Sequence, residues 1–208
     1  RPLSAPVEAP PLLRLSAVTK RFGGVVALDG VDFELRSGEI HALLGENGAG
    51  KSTLIKILGG IHRPDGGEII FDGKRVEIHD VIAADRLGIR VIHQELSLAP
   101  NLSVAENIFL GREPRRFGLL DRPRMILQAE QLRDDLRLPE IGDVTTRVSQ
   151  LSVARQQLVE IVRALSVQAR ILVLDEPTAS LSEAETERLF EILRGLRAQG
   201  VGVIYISH

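Results

Sequence analysis

The sequence predicts an α/β fold: a mostly parallel sheet covered by helices, with an antiparallel β subdomain at the N-terminus and an inserted helical subdomain. Three observations carry that prediction. Short apolar runs suited to buried strands alternate with helical periodicities around Ile40–Leu58 and again from Ile171 onward, the pattern of strand–helix–strand units. Alternating apolar and polar stretches and an Asp-Gly hairpin signal occupy the N-terminal part. From about residue 95 to 165, helical patterns replace strands.

The elements follow in order. Residues 1–11, RPLSAPVEAPP, hold Pro and Ala with no apolar signal-peptide core, and read as a disordered lead-in. Segments 12–18 and 31–35 alternate as half-buried strands do. Ile40–Leu44 is a continuous apolar run, suited to a strand buried on both faces. After a glycine-rich loop, Ser52–Leu58 places Leu54, Ile55, Ile57 and Leu58 on a well-buried helix that Gly59-Gly60 ends. Residues 68–78 form a hairpin turning at Asp72-Gly73, and 88–94 is another strand. Ser103 and Glu106 have capping-box spacing at a helix start. Residues 122–136 form a polar helix opened by Pro123. In Ser152–Leu165, Leu158, Ile161, Val162 and Leu165 make an amphipathic stripe. Residues 171–175 resume the strand pattern. Ser182 and Glu185 open a helix closed by Gly200, and 201–207 is a last apolar strand. No internal repeat is visible. Ending one residue after that strand, the chain is expected to be a piece of something longer.

Composition narrows the function classes. The 208 residues suit one domain with room for a subdomain, and 44% hydrophobic residues supply a sizeable core. Acids (28) and bases (26) nearly balance, which argues against a broad nucleic-acid footprint. No cysteine is present, so disulfide and thiolate chemistry are excluded, and a reducing compartment fits. No apolar run approaches the roughly 20 residues that span a bilayer. The expectation is a chain soluble by itself in the cytoplasm.

Gly45-x-x-x-x-Gly50-Lys51-Ser52 matches the P-loop pattern, with a strand before it and a helix after it. Its glycines let successive backbone N–H groups turn inward around phosphate oxygens, and the following helix adds its positive end. Lys51 is placed to reach the β- and γ-phosphates, and Ser52 to give a hydroxyl to Mg²⁺. The backbones of Glu46, Asn47, Gly48, Ala49 and Thr53 complete the binding set. Asp175 and Glu176 end a buried strand, where α/β folds place ligands. One acid can hold Mg²⁺ through water, and the next can polarise the attacking water.

GENGAGKST (45–53), Gln94, LSVARQQ (151–157), ILVLDEPT (171–178) and His208 together resemble the ordered motif set of ABC ATPases, over nearly everything from Leu12 to His208. The resemblance implies a P-loop NTPase (RecA-like) nucleotide-binding domain at 12–208, with ATP and Mg²⁺. It gives Gln94 the role of contacting Mg²⁺ and sensing the γ-phosphate, so that Ser52, Gln94 and Asp175 form the metal set. It makes Glu176 the general base and His208 the bridge from γ-phosphate to water. Phe22 would stack on adenine, against the plainer reading of a core phenylalanine.

Two stretches depart from the family pattern. Where LSGGQ is usual, Leu151-Ser152 is followed by Val153, Ala154 and Arg155. In the family this signature grips the γ-phosphate bound by the other half of a dimer, and losing two glycines restricts it. The usual Ser-Ala-Leu-Asp is Ala179-Ser180-Leu181-Ser182 here. Residues 41–60, 91–113 and 151–166 are similar to ATP-binding subunits of bacterial monosaccharide importers, in which two ABC halves are fused and the first carries an atypical signature. That resemblance implies a membrane sugar permease, a second ABC half and, indirectly, an external sugar-binding protein as partners. It implies no nucleic acid, and a place on the cytoplasmic face of the membrane. The segment from Gln94 to Glu113 would face the permease. Arg112, Arg115, Arg116, Arg122 and Arg124 are read either as a solvated basic loop or as a contact with permease or lipid headgroups. The competing readings are a cytosolic ABC ATPase without a transporter and a nucleotide-binding regulatory module that does not hydrolyse.

Overall fold

The computed structural model describes residues 10–46, 48–178 and 181–207. Strands β1 (Leu13–Phe22), β2 (Val25–Leu35), β4 (Gly66–Phe71) and β5 (Lys74–Val76) form an antiparallel sheet in the order β2-β1-β4-β5. Strands β3 (Ile40–Leu44), β6 (Ile89–Ile92), β9 (Ile171–Asp175) and β10 (Gly202–Ser207) form a second sheet, all parallel, in the order β3-β10-β9-β6.

Helix α1 (Lys51–Leu58) lies between the two sheets. Its buried residues Leu54, Ile55, Ile57 and Leu58 share one apolar cluster with Leu13, Leu15 and Phe71 of the antiparallel sheet and with Ile171, Val173, Ile204 and Ile206 of the parallel one. The other face of the parallel sheet, carrying Leu172, Leu174, Val203 and Tyr205, packs in a second cluster. There it meets residues of α3 (Val104–Ile108), α4 (Arg122–Asp135), α5 (Val153–Leu165) and α6 (Glu183–Ala198). Residues 171–174 are covered on both faces, as a central parallel strand must be. Each such aliphatic side chain gains roughly 1.5–3 kcal/mol from burial.

Local signals explain most boundaries. Asp72 and Gly73 both take positive φ, 52° and 73°, the type I′ geometry that an Asp-Gly hairpin needs. Both capping boxes form: the Ser103 Oγ accepts from the Glu106 N–H, the Ser182 Oγ accepts from the Glu185 N–H, and each glutamate accepts in return from its cap's N–H. The Ser103 N–H holds the Glu106 carboxyl below the usual carboxylate range.

Several expectations need correction. β3 is an edge strand, not one buried on both faces, and Leu44 is 72% exposed. β1 and β2 run well beyond segments 12–18 and 31–35 and meet at Gly23-Gly24. Bulges between Leu15 and Arg21, with Ala17 at φ 50°, break the alternation that would have revealed them. β6 ends at Ile92 rather than 94, and α4 ends at Asp135. Helix α2 (Val81–Arg86), capped by Asp80 through the Ala83 N–H, is too short to show a periodicity. The helical region also contains a small hairpin, β7 (Arg115–Arg116) with β8 (Leu119–Leu120).

Gly60 closes α1 at φ 75°, and a Cβ there would lie 2.1 Å from the Asp80 carbonyl oxygen. Gly60→Ala should therefore lower the unfolding free energy by at least about 2 kcal/mol, seen as a lower urea midpoint. An unchanged midpoint would contradict this packing.

Candidate functional site

All four parallel strands end at one edge. Ser207 is level with Leu44, Ile206 with Asp175, and Leu174 with Ile92. The Gly45 loop, the Asp175–Glu176 turn and the segment bearing Gln94 therefore leave the sheet on the same side, where open parallel sheets hold ligands. β10 alone separates β3 from β9, which sets their ends about 10 Å apart, two strand spacings.

The loop has a geometry that can hold an anion. Gly48 and Gly50 adopt φ 86° and 84°, and Gly50 is the N-cap of α1. No side chain caps the helix and its first turn holds no acid. The first-turn amides at Lys51, Ser52 and Thr53 thus have no intrahelical acceptor, and the positive helix end is not neutralised. The Lys51 Nζ folds back over the loop, donating to the carbonyls of Gly45 and, at 3.0 Å, Glu46. The Ala49 N–H also donates to the Glu46 carbonyl, at 3.2 Å. Gly50 cannot be replaced freely, because a Cβ there would sit 2.5 Å from the Ala27 carbonyl oxygen. Strand β2 thus presses directly on the loop.

Asp175 ends β9, and Glu176 follows with its N–H donating to the Ile206 carbonyl at 3.1 Å. Both are half-buried. Glu176 takes φ 49°, a left-handed conformation that costs a side-chain-bearing residue energy and is concentrated at functional turns. Gln94 is exposed two residues beyond β6. Phe22 is 42% exposed at the end of β1, paired with Val25, which excludes its reading as a core residue. Asn47, His208 and Ala179-Ser180 lie outside the described residues.

The predicted signature is not brought to Lys51. Ser152 is the N-cap of α5, its Oγ accepting from the Arg155 N–H at 3.4 Å. Leu151 is buried in the cluster beneath α5, while Val153 is 48% exposed. Ala154 and Arg155 continue the first turn. α5 and α1 pack on opposite faces of the parallel sheet.

Two residues missed from the sequence hold the segment after Gln94. The buried Glu160 of α5 accepts from the Ser97 N–H at 2.8 Å and from its Oγ at 3.0 Å. The fully buried Asn107 accepts from the Ala99 N–H at 2.7 Å and donates back to its carbonyl at 3.0 Å. The available signal for Glu160 was an acid set within the run Leu158-Val159-Glu160-Ile161-Val162. The predicted basic group is divided: Arg112 donates to the Ile108 carbonyl and the Ser166 Oγ, Arg122 pairs with Glu106, and Arg115, Arg116 and Arg124 are exposed. Arg112 lines a cleft of about 420 Å³ with Arg90, Arg163, Asp85 and Glu160. Burial, and then the charges of Arg90 and Arg163, pull Arg112 below its usual range.

Among the described residues, no three His, Cys, Asp or Glu side chains gather to hold a metal by themselves. Ser52 is exposed on the first turn of α1 and Asp175 is at the same sheet edge. That sparse oxygen set fits a Mg²⁺ ion that takes most of its ligands from phosphate and water.

A family model described as ABC transporter matches residues 28–179. A ribose import ATP-binding protein of Rubrobacter xylanophilus is 60% identical over 198 residues, covering 95% of this chain and 39% of the relative. Another, from Streptomyces avermitilis, is 54% identical over 204 residues, covering 97% of this chain and 38% of the relative. The chain thus spans about two fifths of the length of these curated relatives. Among solved structures, an ATP-binding cassette of an ABC transporter in its ADP conformation superposes with TM-score 0.84 at 26% identity, covering 96% of this chain and 82% of that one.

Gly50→Ala should push the loop off Ala27, lowering affinity for a nucleoside triphosphate at least about tenfold, the worth of one or two charge-assisted hydrogen bonds. Calorimetric affinity equal to the parent's would show that this loop geometry does not hold the phosphates.

Proposed function

This chain belongs to the ABC transporter family, and from that premise we propose that it binds and hydrolyses ATP to power import of a sugar through a membrane permease. The observation that carries the reading is the shared sheet edge, where the loop leading into α1 leaves β3 and the Asp175–Glu176 turn leaves β9, with β10 alone between the two strands. The sugar, a monosaccharide, is suggested by the relatives named for ribose import.

The loop amides and the Lys51 ammonium bind the β- and γ-phosphates, and their charges are fixed before the nucleotide arrives. Phe22, exposed on the hairpin that abuts the loop, stacks on the adenine. Glu176 orients a water against the γ-phosphate and takes its proton as general base. Ser52, Asp175 and Gln94 would hold Mg²⁺, which when bound neutralises charge developing on the phosphate oxygens. His208 is assigned to the γ-phosphate and the water.

The signature at Leu151, Ser152, Val153, Ala154 and Arg155 serves a second ABC half rather than this chain's own nucleotide, since α5 and α1 pack on opposite sheet faces. The extra length of the relatives leaves room for that half in one polypeptide. The permease docks at the cleft lined by Arg90, Arg112 and Arg163, beside the segment after Gln94. The domain, 12–208 with its helical part at 95–165, then works at the cytoplasmic face of the membrane, with a sugar-binding protein on the other side. No helix among the described residues is long and apolar enough to cross a membrane.

Glu176→Gln in the full-length protein should leave ATP affinity intact and cut turnover by roughly 10²–10⁴, the usual worth of a general base. Undiminished phosphate release would remove Glu176 from that role.

A further inference from the structure

The segment that leaves α1 returns to the antiparallel sheet and touches the ring of Phe22. His62 is tied to the end of α1, its N–H donating to the Lys56 carbonyl at 3.0 Å. Its imidazole meets the Phe22 ring edge to face, with centroids 5.0 Å apart and planes at 64°. Three residues on, Asp65 fixes the segment to β1. Its N–H donates to the Thr19 carbonyl at 2.8 Å, and its carboxylate accepts from the Arg21 N–H at 2.7 Å and from the Lys20 Nζ at 2.7 Å. Lys20 in turn lies over the Phe22 ring, its Nζ 5.4 Å from the centroid.

An exposed phenylalanine at a hairpin end is free to change rotamer, and each base it binds must first wait for the right one. Here the ring is held by a tilted aromatic neighbour and a cation while remaining 42% exposed. The cation is held by Asp65. We propose that His62 is a positioning residue for the nucleotide base, holding the Phe22 ring ready to stack. The inference rests on the reading of Phe22 as the base-stacking side chain.

The arrangement gives α1 two tasks. Its first turn presents amides to the phosphates, and the chain leaving its last turn supports the ring that meets the base. With eight residues, about 12 Å of rigid helix, α1 fixes the separation between the two ends of one ligand. Preorganising the ring removes part of the ordering cost of binding. An aromatic pair of this geometry corresponds to about a 2- to 10-fold effect on an equilibrium.

The test compares Kd for ATP with Kd for inorganic tripolyphosphate, which lacks a base, on the full-length protein. His62→Ala should weaken ATP about 2- to 10-fold and leave tripolyphosphate unchanged. His62→Phe, which keeps a ring edge, should restore ATP affinity. In a Phe22→Ala background, His62→Ala should add nothing. If Phe22→Ala weakens ATP while His62→Ala does not, the positioning role falls and base stacking stands. If Phe22→Ala itself binds ATP as the parent does, the stacking reading falls and this inference with it. Equal weakening of ATP and tripolyphosphate by His62→Ala would instead assign His62 to the loop and overturn the proposal, as would failure of His62→Phe to restore binding.

Discussion

The structure depends on one constraint: α1 is clamped between two sheets, so its unneutralised N-terminus is delivered to the edge where the parallel strands end. Four apolar side chains of an eight-residue helix are buried in the cluster that joins the sheets. A helix this short has little stability in water, and tertiary packing supplies what propensity does not. Packing against both sheets holds α1 in place and its C-terminal end is buried, while the N-terminal end has neither side-chain cap nor acid. Amides without an intrahelical acceptor, held at a fixed location, favour the binding of an anion.

Most of this architecture was legible where local chemistry and periodicity agree. The Asp72-Gly73 turn, the capping boxes at Ser103 and Ser182, and the stripe of α5 each state their structure within a few residues. What was hidden depends on distant neighbours. Nothing within Ile40–Leu44 says that it lies at a sheet edge, because strand order is set by pairing with β10, far along the chain. The bulged parts of β1 and β2 lack alternation, and α2 has only six residues.

The candidate site divides in the same way. Gly45–Ser52 and Asp175-Glu176 were readable because each sits at a strand end, and a parallel sheet gathers such ends on one edge. Glu160 and Asn107 were not, since a buried acid on a helix and an amide bonded to a loop carry no local spacing. Yet they tether the segment after Gln94, and Glu160 does so from the same helix that Ser152 caps. A displacement of that segment must therefore strain or break bonds to α5. The buried carboxylate gives this link its strength, because leaving it without donors would be costly.

The central claim is that the amides of Gly45–Thr53 and the Lys51 ammonium hold the phosphates of a nucleotide. Calorimetric titration of ATP into the parent and into Lys51→Ala tests it most directly. Loss of the ammonium should weaken binding about 10- to 100-fold, the value of hydrogen bonds to a charged group. A variant that binds ATP as tightly as the parent would contradict the account.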